Sequence, residues 1–166
     1  MVTRDTVYGY LSFVMVLVTD QATKQASLES AKGAGWSLQV TEFFNLVLVF
    51  NRGVSFGLLG DSRLPYQDLL LAGLAALVAL VLLKWISGQL GERLSLAYGL
   101  IAGGALGNAV DRLRIGAVVD FLDFHWAGWH WPSFNIADSA IFIGVLLVLV
   151  DALFGSEDKS KKKADV

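Results

Sequence analysis

Asp120 and Asp138 are carboxylates at the edges of apolar stretches, set in Val118-Val119-Asp120-Phe121 and Phe134-Asn135-Ile136-Ala137-Asp138-Ser139. An ionisable group beside hydrocarbon is costly to keep and marks a functional site by default. Two carboxylates in one dry site do not both ionise readily, so they can hold a single proton between them. The charged member can then take a proton from water while the neutral one donates to a carbonyl oxygen. That division of labour hydrolyses a peptide bond without a metal or a covalent intermediate. A local reading competes with it for Asp138. Asn135 and Asp138 lie three apart at the start of an apolar run, where they share a helix face and where the helix dipole favours an acid. From spacing alone Asp138 is as much a helix cap as a catalyst, and Asp120, on the same predicted side and at similar depth, moves the balance.

Other chemistry is sparser. Asp20 and Lys24, four apart, can pair on a helix and so lower the cost of placing charge near a membrane; structural pairing and orientation of a substrate account for them equally well. Asn108, Asp111 and Arg112 share a face at the end of another apolar run, where an Asp-Arg pair is expected to be structural and Arg112 to hold the neighbouring loop or a lipid phosphate. His125 and His130 lie among Phe124, Trp126, Trp129 and Trp131, and read as polar tips of an interfacial aromatic belt. The chain has no Cys and two His, and no His-x-x-Glu-His spacing, so disulfides, thiol chemistry, zinc hydrolysis and any cofactor are not expected.

These groups need elements to carry them, and composition makes the bilayer the first consideration. The 166 residues are 55% hydrophobic and 17% charged, with mean hydropathy +0.58, whereas charge makes up about a quarter of an ordinary soluble domain. Leu69 to Leu83 runs without a charge between Asp68 and Lys84, and Leu94 to Val110 ends at Asp111-Arg112. Thr6 to Thr19 and Ser139 to Val150 are shorter and complete a crossing only with their terminal carboxylates at the interfaces. Leu69 to Leu83 has no polar face, which argues against a soluble bundle. Asp20-Gln21-Ala22-Thr23-Lys24 makes a poor cleavage region, so the first span is read as retained.

The expected fold is a membrane all-α bundle of four transmembrane helices with a small extracytoplasmic β-sheet. Residues 1–154 would form one domain, with spans at about 6–28, 67–86, 94–113 and 136–154, a β insert at about 33–62, and an extracytoplasmic loop at about 114–135. The alternation in Trp36-Ser37-Leu38-Gln39-Val40-Thr41 and the aromatic, β-branched run Phe43 to Phe50 predict short strands, with turns at Asn51-Arg52-Gly53 and Leu59-Gly60-Asp61. Gly99, Gly103 and Gly107 form a stripe that lets helices approach closely. Residues 155–166 read as a polar cytoplasmic tail. Its Lys159, Lys161, Lys162 and Lys163, with Arg4, Lys84 and Arg93, narrowly outweigh Lys24, Lys32, Arg52, Arg63, Arg112 and Arg114, which predicts both termini in the cytoplasm. A solvated end near anionic phospholipid explains those lysines better than nucleic acid does.

Several ordered blocks resemble a known family. Asn108-x-x-Asp111-Arg112, Gly116-x-Val118-x-Asp120-Phe121-x-Asp123 and Trp131-Pro132-x-Phe134-Asn135-x-Ala137-Asp138-Ser139 are similar to the signature blocks of lipoprotein signal peptidase (signal peptidase II). Asp20-x-x-x-Lys24 and Asn51-x-Gly53-x-x-Phe56-Gly57 are similar to its earlier blocks. The resemblance implies an aspartic endopeptidase of the bacterial inner membrane that removes signal peptides from diacylglyceryl-modified prolipoproteins, cutting before the lipidated Cys at the extracytoplasmic face. It carries over Asp120 and Asp138 as the catalytic dyad. Asp20, Lys24, Asn51, Gly53, Asn108, Arg112, Asn135 and Ala137 match positions of substrate binding or active-site support. The middle of the Asn51 block, with Arg52, Val54 and Ser55, matches least well. Phospholipid contact and a monomer are expected; metal and cofactor are not.

Two other readings remain at this level. A small non-enzymatic transporter or scaffold subunit would explain the glycine stripe and aromatic belt, but not two acids matched in depth. A Ser-Lys dyad could combine Lys24 with Ser55 or Ser139.

Overall fold

A computed structural model describes residues 3–31, 35–53, 66–88 and 90–164, with backbone alone from residue 155 onward. The expected turn at Leu59-Gly60-Asp61, Phe56-Gly57 and Ser55 fall outside the described residues. The order of elements is α1 (Arg4–Ser30), β1 (Ser37–Thr41), β2 (Phe44–Asn51), α2 (Gln67–Ile86), α3 (Glu92–Ile115), β3 (Val118–Trp126), β4 (Trp129–His130) and α4 (Ile136–Ala164).

Helix ends follow local chemistry. Thr3 caps α1, its hydroxyl accepting the Thr6 N–H at 3.2 Å. Gly116 ends α3 in the left-handed region (φ 70°) and returns its N–H to the Arg112 carbonyl at 3.0 Å, a conformation glycine adopts without a Cβ penalty.

Helix α3 is the central post, packed against α1, α2 and α4. Its inward surface is made of small residues: Ala97, Gly99, Ala102, Gly103, Gly104, Ala105, Gly107 and Ala109 are all buried. A Cβ on Gly99 would strike Ser12 Oγ and the Gly9 carbonyl of α1, and one on Gly104 would strike the Ala137 carbonyl of α4. The stripe expected from sequence is therefore packing within one chain. Large apolar side chains point outward instead, among them Met15 and Val18 on α1, Leu70, Leu74 and Leu80 on α2, and Phe142 and Leu153 on α4. Small residues and charges inside with leucines outside invert the pattern of a water-soluble core. Among the described residues, two helical segments, Gln67–Ile86 and Ile136–Phe154, are long and apolar enough to cross a membrane.

The sheet is antiparallel in the order β1-β2-β3-β4. Here the sequence reading needs correction. The segment at about 114–135, expected as a loop, supplies half the strands, and β3 pairs with β2 along Phe44–Asn51. Its run Val118–Trp126 opens on two β-branched residues and carries Phe121, Phe124 and Trp126, but its partner strand lies far back in the chain, so the pairing that makes it a strand is non-local. The α4 backbone continues as helix into the tail, to Ala164.

Candidate active site

The site forms where β2, β3 and the start of α4 meet the C-terminal half of α3. Asp120, 1% exposed, lies on β3, and its neighbours Val118, Val119 and Phe121 are buried with it. Asn51 at the end of β2 donates Nδ2 to Asp120 Oδ2 at 3.1 Å, and its Oδ1 accepts the Gly53 N–H at 3.0 Å. Asn135 donates Nδ2 to Asp120 Oδ1 at 2.7 Å. The same residue caps α4, with its Oδ1 accepting the Asp138 N–H at 2.9 Å. Asp138 occupies the third helical position, in the first turn of α4 where the helix dipole favours an acid. Its Oδ1 also accepts Asn108 Nδ2 at 2.9 Å. A helix-end role and membership of the site coexist at Asp138.

Asn108 and Asn135 are joined by a bond from Asn135 Nδ2 to Asn108 Oδ1 at 3.3 Å. Each of two buried amides thus grips one carboxylate and touches the other amide. Burial first, and then the charge of Asp138, pushes the Asp120 carboxyl up to about 7 against the pull of its amide donors.

Beneath this pair lies a buried ionic cluster. Lys24, 2% exposed, spends its ammonium on Asp20 Oδ2 at 2.9 Å, Asp111 Oδ2 at 2.8 Å and Asn108 Oδ1 at 2.8 Å. An ammonium has three donors, and all three are used. Asp20 Oδ1 accepts the Ala137 N–H at 2.9 Å, and Asp111 Oδ2 accepts the Val119 N–H at 3.2 Å. The cluster therefore ties α1 and α3 to the backbone beside each carboxylate. Arg112 Nη2 donates to the Gly53 carbonyl at 3.0 Å and Nη1 to the Asn108 carbonyl at 3.4 Å. It ties the segment after β2 to α3.

All ten site residues named from sequence thus converge in one connected region. The same partners weaken the Ser-Lys reading at Ser139. Its hydroxyl donates to the Asn135 carbonyl at 2.9 Å, and Lys24 has no donor left for it.

A family model described as signal peptidase (SPase) II matches residues 12–154. The chain belongs to the signal peptidase II family. It is 44% identical over 155 residues to a lipoprotein signal peptidase of Aeromonas hydrophila, covering 92% of this chain and 89% of the relative. A lipoprotein signal peptidase of Burkholderia vietnamiensis is 48% identical over 146 residues, with 84% of each chain covered. A solved bacterial membrane enzyme superposes with a TM-score of 0.77 at 30% identity, covering 91% of this chain and 90% of the other. Membership makes the protein a peptidase with signal peptidase II function, and its structural relatives are membrane enzymes.

In this signal peptidase II, sequence reasoning undervalued three groups. Asp111 is a full partner of Lys24. Gln21 donates Nε2 to Asp111 Oδ1 at 3.0 Å and to the Gly107 carbonyl at 3.2 Å; its place beside Asp20 was the only signal. His130, read as a tip of the aromatic belt, instead sets Nδ1 against both oxygens of Asp123 at 2.9 and 3.0 Å.

Proposed function

We propose that Asp120 and Asp138 are the catalytic dyad of this signal peptidase II and that it cleaves diacylglyceryl-modified prolipoproteins before the lipidated Cys. The observation that carries the reading is the paired grip of Asn108 and Asn135 on two carboxylates drawn from a strand and a helix. One proton is shared by the pair. The ionised carboxylate takes a proton from water, the water oxygen attacks the scissile carbonyl carbon, and the neutral carboxyl donates its proton to the carbonyl oxygen. Collapse of the tetrahedral adduct breaks the C–N bond, with the proton taken from water passing to the leaving amine. No metal or cofactor enters these steps. Asn51, Asn108 and Asn135 orient the acids; Asp20, Lys24 and Ala137 brace the α4 end; Gly53 and Arg112 border the site where substrate lies.

In this reading residues 1–154 form one membrane domain of four spans. Helices α1 and α3 cross despite Asp20, Lys24 and Asp111, because those charges face one another inside the bundle. Both termini are cytoplasmic, the sheet and dyad lie at the extracytoplasmic face of the inner membrane, and Trp126, Trp129 and Trp131 sit at headgroup level. A lipidated substrate then enters laterally from the bilayer, and the enzyme acts as a monomer.

The test is cleavage of a diacylglyceryl prolipoprotein by purified protein, read as a mass shift. Asp120→Asn and Asp138→Asn are expected to insert normally and leave the substrate uncut. Normal turnover by either variant would remove the dyad assignment.

A further inference from the structure

We infer that His130 is a positioning residue which, by clamping Asp123, fixes the separation of Asp120 from the start of α4. The inference rests on the reading of Asp120 and Asp138 as the reacting pair.

The chain leaves the site at Asp120 and returns at Asn135, so the intervening segment sets how far apart β3 and α4 lie. The base of this excursion is stitched by Phe121 N and Leu122 N donating to the Phe134 carbonyl at 3.1 and 2.9 Å, and by Phe134 N donating to the Leu122 carbonyl at 3.1 Å. Its tip is weaker. The turn joining β3 to β4 places Ala127 at φ 50° and Gly128 at φ 83°. A two-residue hairpin turn of that kind favours Asn-Gly, and an alanine there is strained. The turn therefore needs support from the strands behind it.

Asp123 and His130 supply that support. Asp123 is 5% exposed, and an acid so buried needs a partner. His130 Nδ1 reaches both its oxygens, and Asn45 of β2 donates Nδ2 to Oδ2 at 2.8 Å. Burial alone would raise the carboxyl, but the hydrogen bonds from His130 and then Asn45 outweigh it and hold Asp123 below the ordinary carboxylate range. His125 stacks on His130 with ring centroids 4.9 Å apart. One carboxylate thereby locks β2, β3 and β4 at the register that delivers Asp120 and, through Trp131 N on the Phe124 carbonyl at 2.8 Å, the segment leading to Asn135. None of these three side chains bonds to Asp120 or Asp138 among the described contacts, so the action is on geometry.

The experiment uses the full-length enzyme in detergent or lipid with a synthetic diacylglyceryl-Cys peptide, measuring kcat and KM separately. For His130→Ala, kcat is expected to fall by roughly tenfold to a hundredfold, the scale of a small displacement of reacting groups, with KM changed less than threefold. His130→Asn, whose Nδ2 can stand where Nδ1 stood, should recover most of the loss. Asp123→Asn should show the same split, and the double variant Asp123→Asn/His130→Ala should be no worse than the worse single one. Where His130→Ala does not yield folded protein, Asp123→Asn carries the test. A kcat within twofold of the parent for the folded variants overturns the clamp, as does additive loss in the double variant. Asp120→Asn run alongside separates the two readings: if it turns over normally the dyad fails, whereas a dead Asp120→Asn beside unimpaired clamp variants sinks the clamp alone.

Discussion

Lys24 shows how a cation can be kept inside an apolar bundle. Its three donors meet two carboxylates and an amide oxygen, all buried. Removing one partner of a buried ion pair leaves the other charge without compensation, at roughly 3–5 kcal/mol. Lys24→Met strands both Asp20 and Asp111, so it is expected to lower the thermal unfolding midpoint sharply in detergent, whereas the exposed Arg93 facing Asp151 at 3.7 Å can become Ala with little change. Equal melting of the two variants would remove the structural weight given to the cluster. Asp120 sets the pH response. Its carboxyl is raised to about 7 from about 3.9 in an unfolded chain, so the folded protein keeps that proton through the window between the two values and releases it above. Because the proposed dyad needs one shared proton, kcat/KM is expected to decline as pH rises through about 7; the apparent value belongs to the pair. A profile flat from pH 6 to 9 contradicts this.

Elements bring these residues together through close helix approach. On α3, the glycines facing α1 and α4 leave room for backbone contact, and Gly107 leaves room for Asp20 itself. Gly104→Leu is expected to push α4 off α3, carrying Asp138 away from Asn108, and to abolish cleavage while the protein still inserts. Gly73→Leu on α2, where a Cβ meets nothing within 4 Å, serves as the control with activity retained; loss in both, or in neither, contradicts a specific role for the α3 stripe. How legible these elements were in sequence follows from how local their signals are. Helix α2, a charge-free run closed by Asp68 and Lys84, was readable to its bounds. Strands β1 and β2 were readable to within a residue, through alternation and β-branched residues. Strand β3 was not, since its aromatic residues equally describe an interfacial loop and its partner Phe44–Asn51 precedes two helices. The same distinction runs through the site. Asp120, Asp138 and Asn135 stood out by type and setting, but Asp111 gains its meaning from a lysine on α1 and Asp123 from a histidine across a turn.

At the scale of the molecule, the two ends of the bundle are chemically unlike. At one end Thr6 and Tyr10 of α1 bond to the Ile86 and Leu83 carbonyls at the close of α2, at 3.4 and 3.1 Å, and Arg93 meets Asp151. This end carries Arg4, Lys84 and Arg93 and leads to the lysine-rich tail. At the other end lie the sheet, the aromatic hairpin and both acids. Lys and Arg near span ends favour the cytoplasm, and the proposed topology, with the first end inward and the acids outward, follows that bias. The absence of Cys from the 166 residues makes the assignment directly testable, because any introduced thiol is unique. Gln39 on β1 is exposed at the sheet end; Gly91 is exposed at the opposite end, with nothing within 4 Å of a Cβ placed there. In intact cells Gln39→Cys is expected to react with a membrane-impermeant maleimide, and Gly91→Cys only after the membrane is opened. The reverse pattern inverts the topology and puts the dyad on the cytoplasmic side. Labelling of both in intact cells places the two ends on one face, which four crossings through α1, α2, α3 and α4 do not allow.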